Sequence, residues 1–316
     1  MDRFGPRLTA LIGAVAAATA AAMPLPADLP LRDARWINPP QRLATLTSRP
    51  LECAAIPHDP DGRRLFEIGR AAFRAPLLLG GQAARAGLRC ESCHSNGRRN
   101  PAFRFPGLSG DPGTADVTSS LMSSHRGDAT FDPRPIPDLG LPGKVSRAVG
   151  DPALERFIHG LIVEEFDGAE PPPSVLAGLG AYVRAVGQGS CGRGGREAVT
   201  LDGAAGDVAR ALAAARFATD AGDSPAARLL VSAARSALGL LDERFAVPAL
   251  ARDRAQIRQA DRDLLAIEKG IDAGQPGLAA SISAAQTRLV SHLAPLRRDA
   301  SRSLLNPDNL RAALRR

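Results

Sequence analysis

Residues 87–101 read GLRCESCHSNGRRNP, and the stretch that follows, 95–143, is dense in Gly, Pro, Ser and Asp. That density predicts a long wrapping loop with short helical pieces. A structureless segment of that length is uncommon in a compact domain unless something else fills the middle. The fold therefore has to wrap a long loop around a centre the loop does not supply. At the head of that loop stand Cys90, Cys93 and His94.

Cys-x-x-Cys-His is the attachment signature of c-type haem. Two thiols three apart share a helical turn and reach the two vinyl groups on one porphyrin edge. The adjacent imidazole then ligates the iron from the proximal side. A redox dithiol would want a βαβ context, and no β-rich run flanks the motif. A structural zinc needs four ligands, and no second Cys/His pair of suitable spacing exists. With four Cys and five His in 316 residues, chance yields such a match on the order of once in a thousand chains. The expectation is one haem c, bound covalently through Cys90 and Cys93, with His94 as proximal iron ligand. For the distal position the first candidate is Met122 and the second His125, both in SSLMSSHRGD of the wrapping loop. His58, His159 and His292 rank below them.

The N-terminus, MDRFGPR followed by LTALIGAVAAATAAAM, reads as a secretory signal peptide over residues 1–22. The apolar run is short for a membrane span, which takes roughly 20 apolar residues, and no other segment of the mature chain can span a bilayer. The expected location is periplasmic. In an oxidising compartment Cys53 and Cys191, which flank the motif, are candidates for a disulfide. The net charge of +7 is carried almost wholly by Arg. Those Arg are interleaved with Asp and Glu and form no dense basic block, so no nucleic-acid partner is expected.

Aromatics make up only 4% of the chain, so the core must be mostly Ala, Leu and Val, which favours helices. The expected class is all-α: a cytochrome c-like haem domain followed by an antiparallel helical bundle. Residues 23–60 are Pro-rich and read as an irregular lead-in, with Trp36 as an anchor. The haem domain spans 61–190. DGRRLFEIGRAAFR (61–74) reads as an amphipathic helix, DPALERFIHGLIVEEF (151–166) as a second capped by Asp151, and 171–187 as a third. QGSCGRGGRE is a Gly-rich boundary. From 200 to 316 four long segments with three- and four-residue apolar spacing predict an up-down bundle, with a solenoid-like repeat as the alternative. Asn306–Pro307 opens a last short helix.

IGRAAFRAPLLLGGQAARAGLRCESCHSNG resembles the first haem segment of the bacterial cytochrome c peroxidase family. The matching positions are Gly69, Arg70, Phe73, Leu77, Leu79, Cys90, Cys93 and His94. FDGAEPPPSVLAGLGAYVRAV resembles the closing helix of a cytochrome c domain in that group, so the resemblance spans about 61–187. It implies a helical haem domain with thioether attachment. Family members carry two such motifs and relay electrons between two haems, whereas this chain has one. GLSGDPGTADV stands where the family often places a distal His. The expected function is therefore a monohaem c-type cytochrome that exchanges electrons with a redox partner protein. The alternative is a peroxidase-like oxidoreductase with an open distal site, in which Arg98, Arg99 or Arg126 would polarise peroxide.

Overall fold

Local signals start most of the helices, and tertiary contacts decide the rest. The computed structural model describes residues 29–148, 150–191 and 194–315, so the expected signal peptide lies outside the described residues. The chain is 58% helix and 4% strand, an all-α protein. Residues 29–60 are more ordered than their prolines suggest. Two 3-10 turns, Arg32–Trp36 and Pro39–Gln41, lead into α1 (Arg42–Thr47) and β1 (Ser48–Pro50). The reason is packing at long range. Leu31, Ala34, Ile37 and Leu46 are buried against Leu304 and Leu310, near the other end of the chain. Trp36 stacks on Phe105 with ring centres 4.3 Å apart, and its Nε1 donates to the Ala86 carbonyl at 3.0 Å.

α2 (Pro60–Ala72) begins where Asp59 accepts from the Gly62 N–H at 2.6 Å, with Pro60 preset for the first turn. Its buried face carries Phe66, Ile68, Gly69 and Ala72. Two short helices follow, α3 (Gly81–Arg85) and α4 (Cys90–Cys93), the latter holding the cysteine motif. The wrapping loop then runs with a 3-10 turn at Ser95–Gly97 and a two-residue ribbon, β2 (Thr114–Ala115) on β3 (Arg134–Pro135). α5 (Ala153–Gly160) begins two residues past Asp151, whose Oδ1 accepts the Ala153 N–H at 2.9 Å. The expected helix to 166 does not stay α-helical, because Leu161–Glu165 widens into a π turn. α6 (Pro173–Ala185) closes this half of the chain.

α2 and α6 cross at paired glycines. A Cβ on Gly69 would stand 1.8 Å from the Gly178 carbonyl oxygen, so only Gly lets the two backbones meet. Above this crossing Tyr182 is fully buried between Phe66 and Phe73, at ring-centre distances of 5.7 and 5.0 Å.

β4 (Arg196–Ala198) pairs antiparallel with β1, Arg49 opposite Glu197. Cys53 and Cys191 form a disulfide beside this pair. The Gly-rich segment is thus fastened to the lead-in. Four long helices follow: α7 (Leu201–Asp220), α8 (Ser224–Arg244), α9 (Ala251–Asp272) and α10 (Leu278–Asp299). Thr200 and Asp223 cap α7 and α8 through the Gly203 and Ala226 N–H groups. Each helix packs on the next, and α10 returns onto α7, closing a four-helix bundle rather than an open solenoid. Buried Ala205, Ala211, Ala214, Ala226 and Ala233 let α7 and α8 approach closely. α11 (Pro307–Ala313) is capped by Asn306. One apolar core runs from Phe66 and Tyr182 through Leu212 and Leu230 to Leu289, because α2 packs on α6 and also on α7 and α8.

Two stability effects follow. Gly69→Ala overpacks the crossing and should lower stability by roughly 1–3 kcal/mol, read as a lower denaturation midpoint. Cys53→Ser opens a bridge between residues 138 apart. It should cost roughly 2–5 kcal/mol, and the same loss should appear on reducing the parent chain.

Candidate functional site

The His94 N–H donates to the Cys90 carbonyl at 2.9 Å, so Cys90 and Cys93 occupy one turn. Asn100 fixes that turn from outside: its side-chain amide donates to the Ser92 carbonyl at 2.8 Å and its backbone N–H to that of Cys93 at 3.0 Å. Both thiols are free and half-buried. They face different apolar clusters. Cys90 packs on the main core, and Cys93 on a second cluster that includes Leu79, Leu88, Phe103, Met122 and Ile136. The motif therefore sits on the seam between two apolar bodies.

His94 has a defined orientation. Its Nδ1 lies 3.1 Å from the Pro137 carbonyl oxygen. A carbonyl only accepts, so Nδ1 carries the proton and Nε2 the lone pair. The Phe73 ring lies 6.5 Å from it, centre to centre. Desolvation pushes the imidazole down to about 4, against the Pro137 hydrogen bond and the Asp138 charge, which work the other way. At neutral pH the ring is neutral, the form that binds a metal ion. Desolvation likewise pushes both thiols up to about 12, so they are protonated.

The distal candidates separate clearly. Met122 is 1% exposed and belongs to the same apolar cluster as Cys93. The His125 side chain is 61% exposed, its Nε2 3.9 Å from Asp167 Oδ1. The loop is held there by Ser123, whose Oγ accepts from the His125 and Arg126 N–H groups and donates to the Glu164 carbonyl. His58 is exposed, His159 Nε2 meets Glu170 Oε2 at 2.8 Å, and His292 is half-buried in the bundle near Leu264 and Leu289. Arg126 is paired with Glu164 at 2.8 Å and Glu165 at 2.7 Å, and Arg98 with Asp138 at 2.7 Å. Arg99 faces solvent.

Sequence reasoning missed two parts of the site. Pro137 lies 43 residues beyond His94, and nothing in its surroundings marks it as an acceptor. The other is a buried polar junction behind α4. Glu52, Arg70, Arg74, Glu91, Asn96 and Tyr182 meet there from segments with no shared pattern. The Tyr182 hydroxyl donates to Glu52 Oε1 at 2.8 Å. A cavity of about 200 Å³ opens beside the junction, lined by Trp36, Arg74, Glu91, Ser95 and Asp207 among others. Among the described residues no three His, Cys, Asp or Glu side chains converge as a ready-made metal cluster. Nothing matches the chain among known protein families, curated proteins or solved structures.

The depressed thiolate content has a direct readout. In the free-thiol chain at pH 8, iodoacetamide should label Cys90 and Cys93 roughly thirtyfold more slowly than a cysteine in an unfolded peptide. The rate should rise tenfold or nearly so per pH unit and recover in denaturant. Mass spectrometry of tryptic peptides measures it.

Proposed function

We propose that this chain is a monohaem c-type cytochrome that transfers electrons outside the cytoplasm. The observation that carries the reading is the His94–Pro137 hydrogen bond, which leaves Nε2 as the ligating nitrogen beside two free thiols on one turn. Cys90 and Cys93 would hold the porphyrin by thioether bonds, and His94 and Met122 would ligate the iron. The bound haem supplies a one-electron change at iron.

The residues around the site fit a large flat apolar group. Buried Leu79, Phe103 and Met122 keep water away on the Cys93 side, which holds the redox centre in a low-dielectric setting. The resemblance of residues 61–187 to the cytochrome c peroxidase family supports a cytochrome c-like domain. The Cys53–Cys191 disulfide supports an oxidising compartment, the periplasm. No described helix is long and apolar enough to cross a membrane. The partner is a redox protein.

The peroxidase-like reading needs a free guanidinium over an open distal site. Arg98 and Arg126 are already held by carboxylates, Arg99 faces solvent, and Met122 is buried, so electron transfer is the better supported activity.

Production in a host with cytochrome c maturation machinery tests the reading. Haem should stay with the chain after denaturation, and the reduced spectrum should be low-spin and unchanged by carbon monoxide. Met122→Ala should turn it high-spin and open it to the gas, while His125→Ala should leave it as in the parent. Loss of all haem on denaturation would sink the proposal. Immediate gas binding by the parent chain would favour the peroxidase-like alternative.

A further inference from the structure

The junction behind α4 is organised around one side chain. Arg74 follows the end of α2, and its side chain is only 13% exposed. Its Nη1 donates to the Arg70 carbonyl at 2.9 Å. Its Nη2 donates to Asn96 Oδ1 at 2.7 Å and Glu52 Oε1 at 3.2 Å, and lies 3.5 Å from Glu91 Oε2. Glu91 precedes His94 by three residues, and Asn96 follows it by two. These two residues are also bonded to each other, the Asn96 N–H donating to Glu91 Oε1 at 2.9 Å. The guanidinium thus grips both ends of the short loop that carries His94.

Asn96 makes the grip specific. It is 2% exposed and holds a left-handed backbone, φ 51° and ψ 38°. Its side-chain amide donates to the Pro50 carbonyl at 2.8 Å and Glu197 Oε1 at 3.1 Å, tying the turn to the β1–β4 pair. The same network reaches the bundle. Asp207 on α7 lies 3.9 Å from Arg74 Nε and 3.3 Å from Arg49 Nη1. Arg49 also donates to Glu197 Oε1 at 2.6 Å, the oxygen that accepts from Asn96, so hydrogen bonds run from Asp207 on α7 through Arg49 and Glu197 to the turn under His94, with the Arg74–Asp207 ion contact beside them.

We propose that Arg74 is a positioning residue for His94: by clamping Glu91 to Asn96 it sets the direction of the imidazole, and through Asp207 it makes that direction depend on the bundle. The inference rests on the reading of His94 as the axial ligand. Charge alone does not account for the arrangement, because the planar fork meets three acceptors from separate segments, which an ammonium cannot span in the same way. The bundle then has a role in the chemistry. A partner that shifts α7 alters the ligand field at the haem site without touching it.

Arg74→Lys, Asn96→Gly and Asp207→Asn test this in the haem-loaded chain. Lys keeps the charge and loses the fork, while Gly keeps the left-handed turn and loses the amide. Electron paramagnetic resonance of the oxidised low-spin form reads the imidazole orientation. Arg74→Lys and Asn96→Gly should shift and broaden the signal alike, and Asp207→Asn should move it the same way by less. A second readout needs no haem. In the full chain made without it, Arg74→Lys and Asn96→Gly should speed amide exchange at residues 94–97 about tenfold or more, with the bundle unchanged. A parental spectrum from Arg74→Lys together with parental exchange at 94–97 would overturn the clamp and leave the cytochrome reading intact. A parent chain that retains no covalent haem overturns that reading and this proposal with it.

Discussion

α2 is packed on two sides at once, and the rest of the architecture depends on it. One side meets α6 at the Gly69–Gly178 crossing, and the other lies on α7 and α8. A helix shared in this way cannot shift without disturbing both halves of the chain. Its C-terminal end delivers three things to the cysteine motif. The Phe73 ring stands beside His94, the Phe73 carbonyl accepts the Glu91 N–H, and the Arg74 guanidinium reaches behind α4. The disulfide and the β1–β4 pair then lock the lead-in across the same end.

The charges in that junction show which force wins. Burial alone would raise the Glu52 carboxyl, yet Arg74, Arg70 and the Tyr182 hydroxyl hold it below the usual carboxylate range. Burial would do the same to Asp207, and Arg74, Arg49 and Arg210 overcome it. Glu91 goes the other way: burial outweighs Arg74, and its carboxyl is raised. The acid nearest the cysteines is thus the least completely compensated of the three. Arg suits this work better than Lys, because a planar fork satisfies several acceptors from one position and sheds its hydration more readily.

Helices and their starts were the legible part of the fold. Asp151 and Asn306 accept from the first N–H groups of their helices as their residue types suggest, and the Ala- and Leu-rich spacing after residue 200 marks four long helices. The lead-in was not legible. Its turns are held by Leu304 and Leu310 from the far end of the chain, and a local pattern cannot report a partner that distant. The π turn at Leu161–Glu165 was hidden for a related reason, since LIVEE is ordinary helical sequence and only its surroundings widen it. In the site, Cys90, Cys93 and His94 are contiguous and so declare themselves. Met122 could be ranked above His125 only by ligand chemistry, whereas their burial, one enclosed and one in solvent, is a property of the folded loop. Pro137, Arg74 and Asn96 carry no motif at all.

Desolvated charges are compensated only while their geometry holds, and this gives the bundle its leverage. An apolar contact between α7 and the half that carries the cysteine motif would tolerate a small slide, because dispersion and burial change slowly with position. The hydrogen bonds that tie Asp207 through Arg49 and Glu197 to Asn96 do not tolerate it: a shift of about 1 Å turns a bond into an unpaired buried charge. The same slide that leaves Leu212 and Val208 buried would therefore be felt at Glu91 and Asn96. An apolar core through both halves makes the chain one body. A charged junction within that core makes one place in it sensitive, and that place lies directly behind His94.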